Sequence, residues 1–156
     1  MVGDDRFTLY KLGALVKKYF PVAKKGYRYY DAAIKRKHSA SSPDASYWIL
    51  LTREILLGSR GRSYSAQKAL VSSHATRTGL AYRIPSILEV STVVLAHYVQ
   101  TGERLLVDDP ETYTCCQEAF SNRYYTVVGG FSVSGLDVGS RRLLDYDLDV
   151  SCCREL

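Results

Sequence analysis

The sequence predicts an α+β fold that is mainly helical, with one compact domain of about five helices and a short C-terminal β-hairpin. Three observations support this prediction. A chain of 156 residues is long enough for one domain with a single core. Apolar residues recur at helical spacing in several segments before residue 121. Two short runs of aromatic and β-branched residues flank a glycine pair near residue 130, which is typical of a hairpin.

The first two predicted helices are basic. Residues 7–20 place Leu9, Leu12 and Val16 on one helical face, and Pro21 ends the segment. A second helix is expected from about residue 27 to residue 38. Its last turn carries three consecutive cations, which complement the negative end of the helix dipole.

The third predicted helix covers residues 43–57. Ser42 fits the N-cap position, Pro43 the first helical position, and Gly58 the stop. An alternative remains open, because residues 47–57 are rich in large aliphatic side chains and also fit a buried strand.

Three further helices and the hairpin follow. A short helix is predicted near 63–73, the central core helix at 85–100, and another helix after Asp109, which fits an N-cap. The hairpin strands are expected at 124–128 and 131–138, and the residues after Gly139 form an edge strand or an unstructured tail.

The cations are concentrated near the N-terminus. Residues 1–38 hold ten Lys and Arg against three Asp, whereas residues 105–156 hold four Lys and Arg against nine Asp and Glu. Such a basic block attracts nucleic acid or an anionic membrane, and the acidic third can pair with the basic block of a neighbouring copy. We therefore divide the chain into a basic amphipathic segment, 1–38, and a single globular domain, 39–156.

The predicted site lies in this basic segment. Its cations would neutralise phosphates or lipid headgroups, while its aromatic residues would stack on bases or sit at a membrane interface. The predicted anion-binding residues are Lys17, Lys18, Lys24, Lys25, Arg28, Lys35, Arg36 and Lys37. The predicted stacking or interface residues are Tyr19, Phe20, Tyr27, Tyr29 and Tyr30.

The cysteines and histidines give little support to catalysis or metal binding. The cysteines form two adjacent pairs, 115–116 and 152–153, unlike a zinc or disulfide pattern, and no two histidines stand at ligand spacing. We expect no metal or cofactor and a buried structural role for the cysteines. The last four residues, from Cys153, match the outline of a prenylation signal, but Arg154 and Glu155 occupy positions that are normally aliphatic.

No apolar run reaches 18 residues, and the first twenty residues lack the apolar core of a secretory signal. These observations predict an intracellular protein of the cytoplasm, the membrane periphery or the nucleus.

One segment resembles a known family. It contains a hydrophobic stretch, a basic turn, a helix and a second apolar helix, in that order. The residues that carry the likeness are Arg62-Ser63-Tyr64-Ser65, Ala69, Val71, Ser72, Gly79 and Arg83. Residues 47–98 in this way resemble the core of rhabdovirus matrix proteins. The resemblance implies a virion protein that self-associates, binds membrane through a basic N-terminal segment and condenses ribonucleoprotein.

Two departures from that family are visible: it has strand where the capping residues predict helix at 43–57, and residues 1–46 lack a proline-rich late-domain motif. The preferred hypothesis is a non-enzymatic structural protein that self-associates on a membrane or a ribonucleoprotein and is found in the virion if viral. One alternative is a cellular nucleic-acid-binding domain of helix-turn-helix type, with residues 63–98 as the paired helices. Another is a small enzyme with a Cys or carboxylate site.

Overall fold

The computed structural model describes residues 6–19, 27–142 and 148–156. Within these ranges a five-stranded mixed sheet has the strand order β1-β5-β4-β3-β6. Its strands are β1 (Tyr29–Tyr30), β3 (Tyr113–Ala119), β4 (Tyr124–Ser132), β5 (Gly135–Arg142) and β6 (Leu148–Asp149). The three long strands are antiparallel neighbours, and the short edge strands β1 and β6 pair in parallel with β5 and β3.

A second, two-stranded ribbon joins β2 (Ile49–Leu51) to β7 (Cys153–Glu155) in antiparallel register. The described helices are α1 (Leu9–Tyr19), α2 (Ala32–His38), α3 (Tyr64–Thr78) and α4 (Ile87–Thr101). The last of these begins with a capping box, in which Ser86 accepts from the Glu89 amide and Glu89 accepts from the Ser86 amide. Gly102 ends it in the left-handed conformation.

The main core lies between the sheet and α4. Val90, Val94 and Leu95 of α4 pack with Val128 and Val138 of the sheet. The same cluster includes Leu9, Leu12 and Val16 of α1, together with Tyr27 and Ile34. The amphipathic N-terminal helix is therefore part of the shared core and presents its other side to solvent.

The opposite face of the sheet carries a smaller cluster formed by Tyr113, Cys115, Val127 and Leu148. The start of α3 covers it, because the ring of Tyr64 stacks on the ring of Tyr125 with centroids 4.7 Å apart. Because both faces of β3 are covered, the adjacent Cys115 and Cys116 are both buried on opposite sides of one strand.

The predicted fold class is wrong in its main feature. Of the described residues, 34% are helical and 27% lie in strands, in four helices and two sheets, so the fold is not mainly helical with five helices and one hairpin. The difference comes from strand pairing between distant segments, which local periodicity does not reveal.

Two predicted helices are absent. Residues 43–57 contain the strand β2 and an extended segment, in which Thr52 and Leu56 donate to the carbonyls of Cys152 and Val150. The helix predicted after Asp109 is the interior strand β3, which pairs with both β4 and β6. In both places the backbone hydrogen-bonding partner lies far along the chain, so the local capping signals were misleading.

Other boundaries also moved. The second basic helix starts at Ala32, because Asp31 caps it and residues 29–30 form β1. The hairpin turns at residues 133–134 rather than at the glycine pair. Gly129 lies inside β4, where an added Cβ would stand 2.2 Å from the carbonyl oxygen of Thr112. A glycine is required there by the close approach of two backbones.

Candidate anion-binding surface

The C-terminal turn of α2 presents three of the predicted cations to solvent. Asp31 fixes the start of this helix, since its Oδ1 accepts from the amides of Ala33 (2.7 Å) and Ile34 (3.2 Å). Ile34 anchors the helix in the core. Lys35, Arg36 and Lys37 are left exposed in the last turn, where positive charge is favourable.

The start of α1 is attached to the end of α2, because the amide of Tyr10 donates to the carbonyl of Ser39 over 3.1 Å. Lys17 and Lys18 lie in the last turn of α1 and are exposed. Seven residues of helix separate Tyr10 from Lys17, which corresponds to about 10 Å along the axis. The exposed cations at the ends of α1 and α2 therefore form two groups, one at each end of α1.

The tertiary structure brings residues of the C-terminal third next to α2. The Nζ of Lys37 donates to the carbonyl of Phe120 (3.3 Å) and stands 5.1 Å from the centre of its ring. The Phe120 ring meets Tyr124, and the Nε of Arg142 donates to the Tyr124 hydroxyl over 3.1 Å. The turn between β3 and β4, which contains Arg123, thus lies beside α2.

We call this set the cationic surface; its members are Lys35, Arg36, Lys37, Arg123 and Arg142. Sequence reasoning missed Arg123 and Arg142 because they belong to the acidic third of the chain. The contact between Lys37 and Phe120 spans 83 residues, and no local pattern signals it.

Arg28, which the sequence assigns to the anion-binding residues, is paired with carboxylates from elsewhere in the chain. Its Nε and Nη2 donate to the two carboxylate oxygens of Asp137 at 2.7 and 2.6 Å, and a second ion pair links it to Asp108. The Asp137 hydrogen bond is the main reason that the pKa of Arg28 is raised. Asp137 also accepts from the hydroxyl of Tyr113 at 2.9 Å. Arg28 therefore fastens β1 to the sheet.

The predicted stacking residues differ in exposure. Tyr27 is only 2% exposed, and its hydroxyl donates to the carbonyl of Leu9, so its ring belongs to the core. Burial raises the pKa of Tyr27 above its ordinary value. Tyr30 is half-buried against the same core, whereas Tyr29 is 55% exposed. Phe20, Lys24, Lys25 and the side chain of Tyr19 lie outside the part of the chain that the structure describes.

Many carboxylates are occupied by contacts within the chain. Asp137 and Asp149 are buried, and the latter lies 2.9 Å from the guanidinium of Arg60. Glu111 pairs with Arg141, and outside the acidic third Glu89 accepts two hydrogen bonds from Arg83. The acidic third of the chain is therefore less available to a neighbouring copy than its composition indicates.

A second cluster of titratable groups surrounds the N-terminus of α4. The carboxylate of Glu89 accepts from both Nη atoms of Arg83 (2.9 and 2.6 Å), from the amide of Ser86 (2.6 Å) and from the hydroxyl of Tyr47 (2.7 Å). Burial by itself would raise the pKa of Glu89, but these hydrogen bonds outweigh burial and lower it to about 2. The neighbouring Glu118 has a raised pKa because of burial and accepts from the amide of Ile87.

This cluster borders a cleft of about 390 Å³. Both carboxylate oxygens of Glu89 accept hydrogen bonds from donors of the same chain. Both oxygens of Glu118 accept from one helix amide. Carboxylates arranged in this way cap the start of a helix. The thiol of Cys153 lies 4.0 Å from Glu89, and burial raises its pKa to about 12. A neutral thiol is a poor nucleophile, so the cluster offers little to the enzyme hypothesis.

All four cysteines are free and buried, as expected for structural residues. Cys153 lies inside β7 and is fully buried, so the folded chain does not present its thiol for prenylation. Among the described residues, no group of three or more His, Cys, Asp or Glu could hold a metal ion. No described helix is both long and apolar enough to cross a membrane.

The helices of the alternative helix-turn-helix hypothesis are not a compact pair. An extended segment separates α3 from α4, and its Arg83 exchanges backbone hydrogen bonds with Cys153. Six residues of α4 are buried, which places this helix in the core rather than at a position where it would read a groove.

Comparison with known proteins gives no further assignment: no protein-family profile, no curated protein and no solved structure matches the chain.

Proposed function

We propose that this chain is a non-enzymatic structural protein that self-associates and binds an anionic surface, either a membrane or a ribonucleoprotein, in the manner of a viral matrix protein. The observation that carries the proposal is that, in the part of the chain that the structure describes, several cations are exposed without an ion-pair partner, whereas many carboxylates are hydrogen-bonded within the chain. Lys17, Lys35 and Arg36 are exposed, and no carboxylate in the described ranges forms an ion pair with them. Many carboxylates, by contrast, are tied to the chain's own donors.

Such an arrangement suits a polyanionic partner. Exposed cations that form no ion pair within the protein attract phosphates. When such cations neutralise the phosphates of a nucleic acid, the counterions bound to that nucleic acid are released, which favours binding. The comparison with a matrix protein rests on the resemblance of residues 47–98 described above and on no other similarity.

The anionic-surface proposal predicts a selective loss of binding in the triple variant Lys17→Gln, Lys35→Gln and Arg36→Gln. At about 0.1 M salt each lost phosphate contact on a single strand should weaken binding by roughly fivefold. Binding should be measured side by side on single-stranded RNA and on vesicles that contain phosphatidylserine, with salt varied.

The matched control removes the same charge elsewhere, through Arg62→Gln, Lys68→Gln and Arg77→Gln around α3. Equal losses in both triple variants would mean that only net charge matters, which would remove the proposed surface. Retention of binding to both ligands by the first variant would also contradict the proposal.

Self-association is supported by an apolar face on the β2–β7 ribbon. Leu50 pairs with Arg154, and the amide of Leu156 donates to the carbonyl of Trp48, so Trp48, Leu50 and Leu156 share one side of the ribbon. Trp48 is 79% exposed and Leu156 is 68% exposed. Exposed clusters of this kind are typical of association surfaces, in which tryptophan contributes strongly.

Replacing Trp48 with serine should weaken self-association and raise its dissociation constant Kd by about 30-fold, which corresponds to the loss of one strong interface residue. Sedimentation velocity over a range of concentrations measures this change. Val133→Ser is the matched control, because Val133 is 75% exposed but lies in the turn between β4 and β5. A wild-type chain that stays monomeric at every concentration would remove self-association from the proposal.

A further inference from the structure

The turn between β3 and β4 is fixed against the basic end of α2. Lys37 donates to the carbonyl of Phe120 and lies over its ring, while the amide of Ser121 donates to the carbonyl of Tyr124 (3.2 Å) and closes the turn. The turn is therefore held in place by contacts at its base, next to Lys37 of α2.

The tip itself is hydrophilic. Ser121, Asn122 and Arg123 are all exposed, and the amide of Arg123 donates to the hydroxyl of Ser121. Within the described ranges, no ion pair or hydrogen bond occupies the guanidinium of Arg123. Membrane binding by a hairpin tip draws on buried apolar side chains as well as on charge, and this tip has no apolar side chain to bury.

Three separate elements thus bring positive charge to one surface. Arg142 at the end of β5 is held by the Tyr124 hydroxyl, with its guanidinium 5.8 Å from the centre of that ring. On β3, the carboxylate of Glu118 accepts from the amide of Ile87.

We propose that a single-stranded nucleic acid crosses the molecule at the cationic surface, and that Arg123 of the β3–β4 turn contacts its phosphates together with Arg36 and Lys37, the cations of the last turn of α2 that lie nearest to the β3–β4 turn. This inference rests on the proposed function and narrows it to one partner class. A guanidinium matches a phosphate group with two parallel hydrogen bonds, and the exposed polar groups of Ser121 and Asn122 can donate to the same backbone. A polar tip beside the exposed cations of α2 favours such a chain over a bilayer.

The test uses Arg123→Gln in the full chain and an unstructured 20-nucleotide uridine RNA as the probe. Loss of one phosphate contact should weaken binding roughly fivefold at about 0.1 M salt and should reduce the slope of log K against log salt by about 0.7. Arg123→Lys keeps the charge and should retain most of the slope. Arg77→Gln is the charge-matched control, because Arg77 lies thirteen residues of α3 beyond Tyr64, or about 20 Å along the helix axis.

The outcomes separate this inference from the proposed function. If the triple variant at Lys17, Lys35 and Arg36 loses RNA binding but Arg123→Gln keeps the full affinity and slope, the turn has no role and the inference fails alone. If Arg123→Gln weakens binding to phosphatidylserine vesicles and leaves RNA binding unchanged, the partner is a membrane and the inference is overturned. Equal losses in Arg123→Gln and Arg77→Gln would overturn it as well.

Discussion

The end of α2 and the start of α4 both concentrate charge at a helix terminus, but they use it differently. At the end of α2, Lys35 and Arg36 lie in solvent, and the described chain provides no carboxylate for them. At the start of α4, Glu89 is only 6% exposed and is surrounded by donors from Arg83, Ser86 and Tyr47. The first group is available to a partner, and the second holds the fold together.

Burial explains the contrast. An exposed charge near a helix end gains a little from the dipole and keeps its hydration, so it needs no partner within the protein. A buried charge loses its hydration and is tolerated only when other groups replace the water. Sequence composition counts both kinds of residue equally, and only their positions separate the functional charges from the structural ones.

The sharpest test of this contrast is Glu89→Ala. The change removes the N-terminal capping partner of α4 and leaves the guanidinium of Arg83 without its main acceptor. We expect a loss of about 2–3 kcal/mol in the free energy of unfolding at neutral pH, because the charge-assisted hydrogen bonds of a buried carboxylate are lost while Arg83, 34% exposed, keeps Glu155 as a partner. Denaturant unfolding measures it, and a loss below about 1 kcal/mol would show that the cluster is not structural.

The same site gives a pH dependence with a definite sign. The pKa of Glu89 in the folded chain, about 2, lies below the ordinary value of 4.5, so its ionised form stabilises the fold. That contribution is complete above about pH 4.5 and is lost as the pH falls towards 2. Glu89→Gln should therefore lose less stability than the wild type over this interval. Glu118, whose pKa is raised mainly by burial, is present in both chains, so that part of its contribution cancels in the difference. The part of its shift that comes from the charge of Glu89 is lost in Glu89→Gln and reduces the difference between the curves. Parallel acid-unfolding curves would contradict the assignment.

A smaller effect separates two residues that the sequence places in one basic block. Arg28→Gln breaks the double hydrogen bond to Asp137, a carboxylate whose side chain is 11% exposed, and should lower the free energy of unfolding by about 2 kcal/mol. Lys35→Gln should change it by less than about 0.5 kcal/mol, because nothing in the described chain depends on that ammonium. Thermal and denaturant unfolding of the two variants measures the difference. Equal effects would contradict the assignment of Arg28 as a structural cation and Lys35 as an exposed one.

The sequence predicted well those elements whose signals are local. The helix expected at 85–100 is α4, since its apolar spacing, its N-cap serine and its closing Gly102 lie within one short segment. The basic helix expected at 7–20 is α1 for the same reason. The predictions failed at 43–57 and after Asp109, where capping residues were present but the backbone found strand partners elsewhere. Strand pairing depends on a distant segment, so a local signal cannot decide it.

The candidate site divides in the same way. The sequence by itself determined that positive charge is concentrated near the N-terminus and that α2 would end in three cations, because composition and helix dipoles are local properties. Only the tertiary structure decided that Arg28 and Tyr27 serve the fold and that Arg123 joins the surface. The physical reason is that burial and proximity arise from packing between distant segments: Asp137 lies 109 residues from Arg28, and Phe120 lies 83 residues from Lys37.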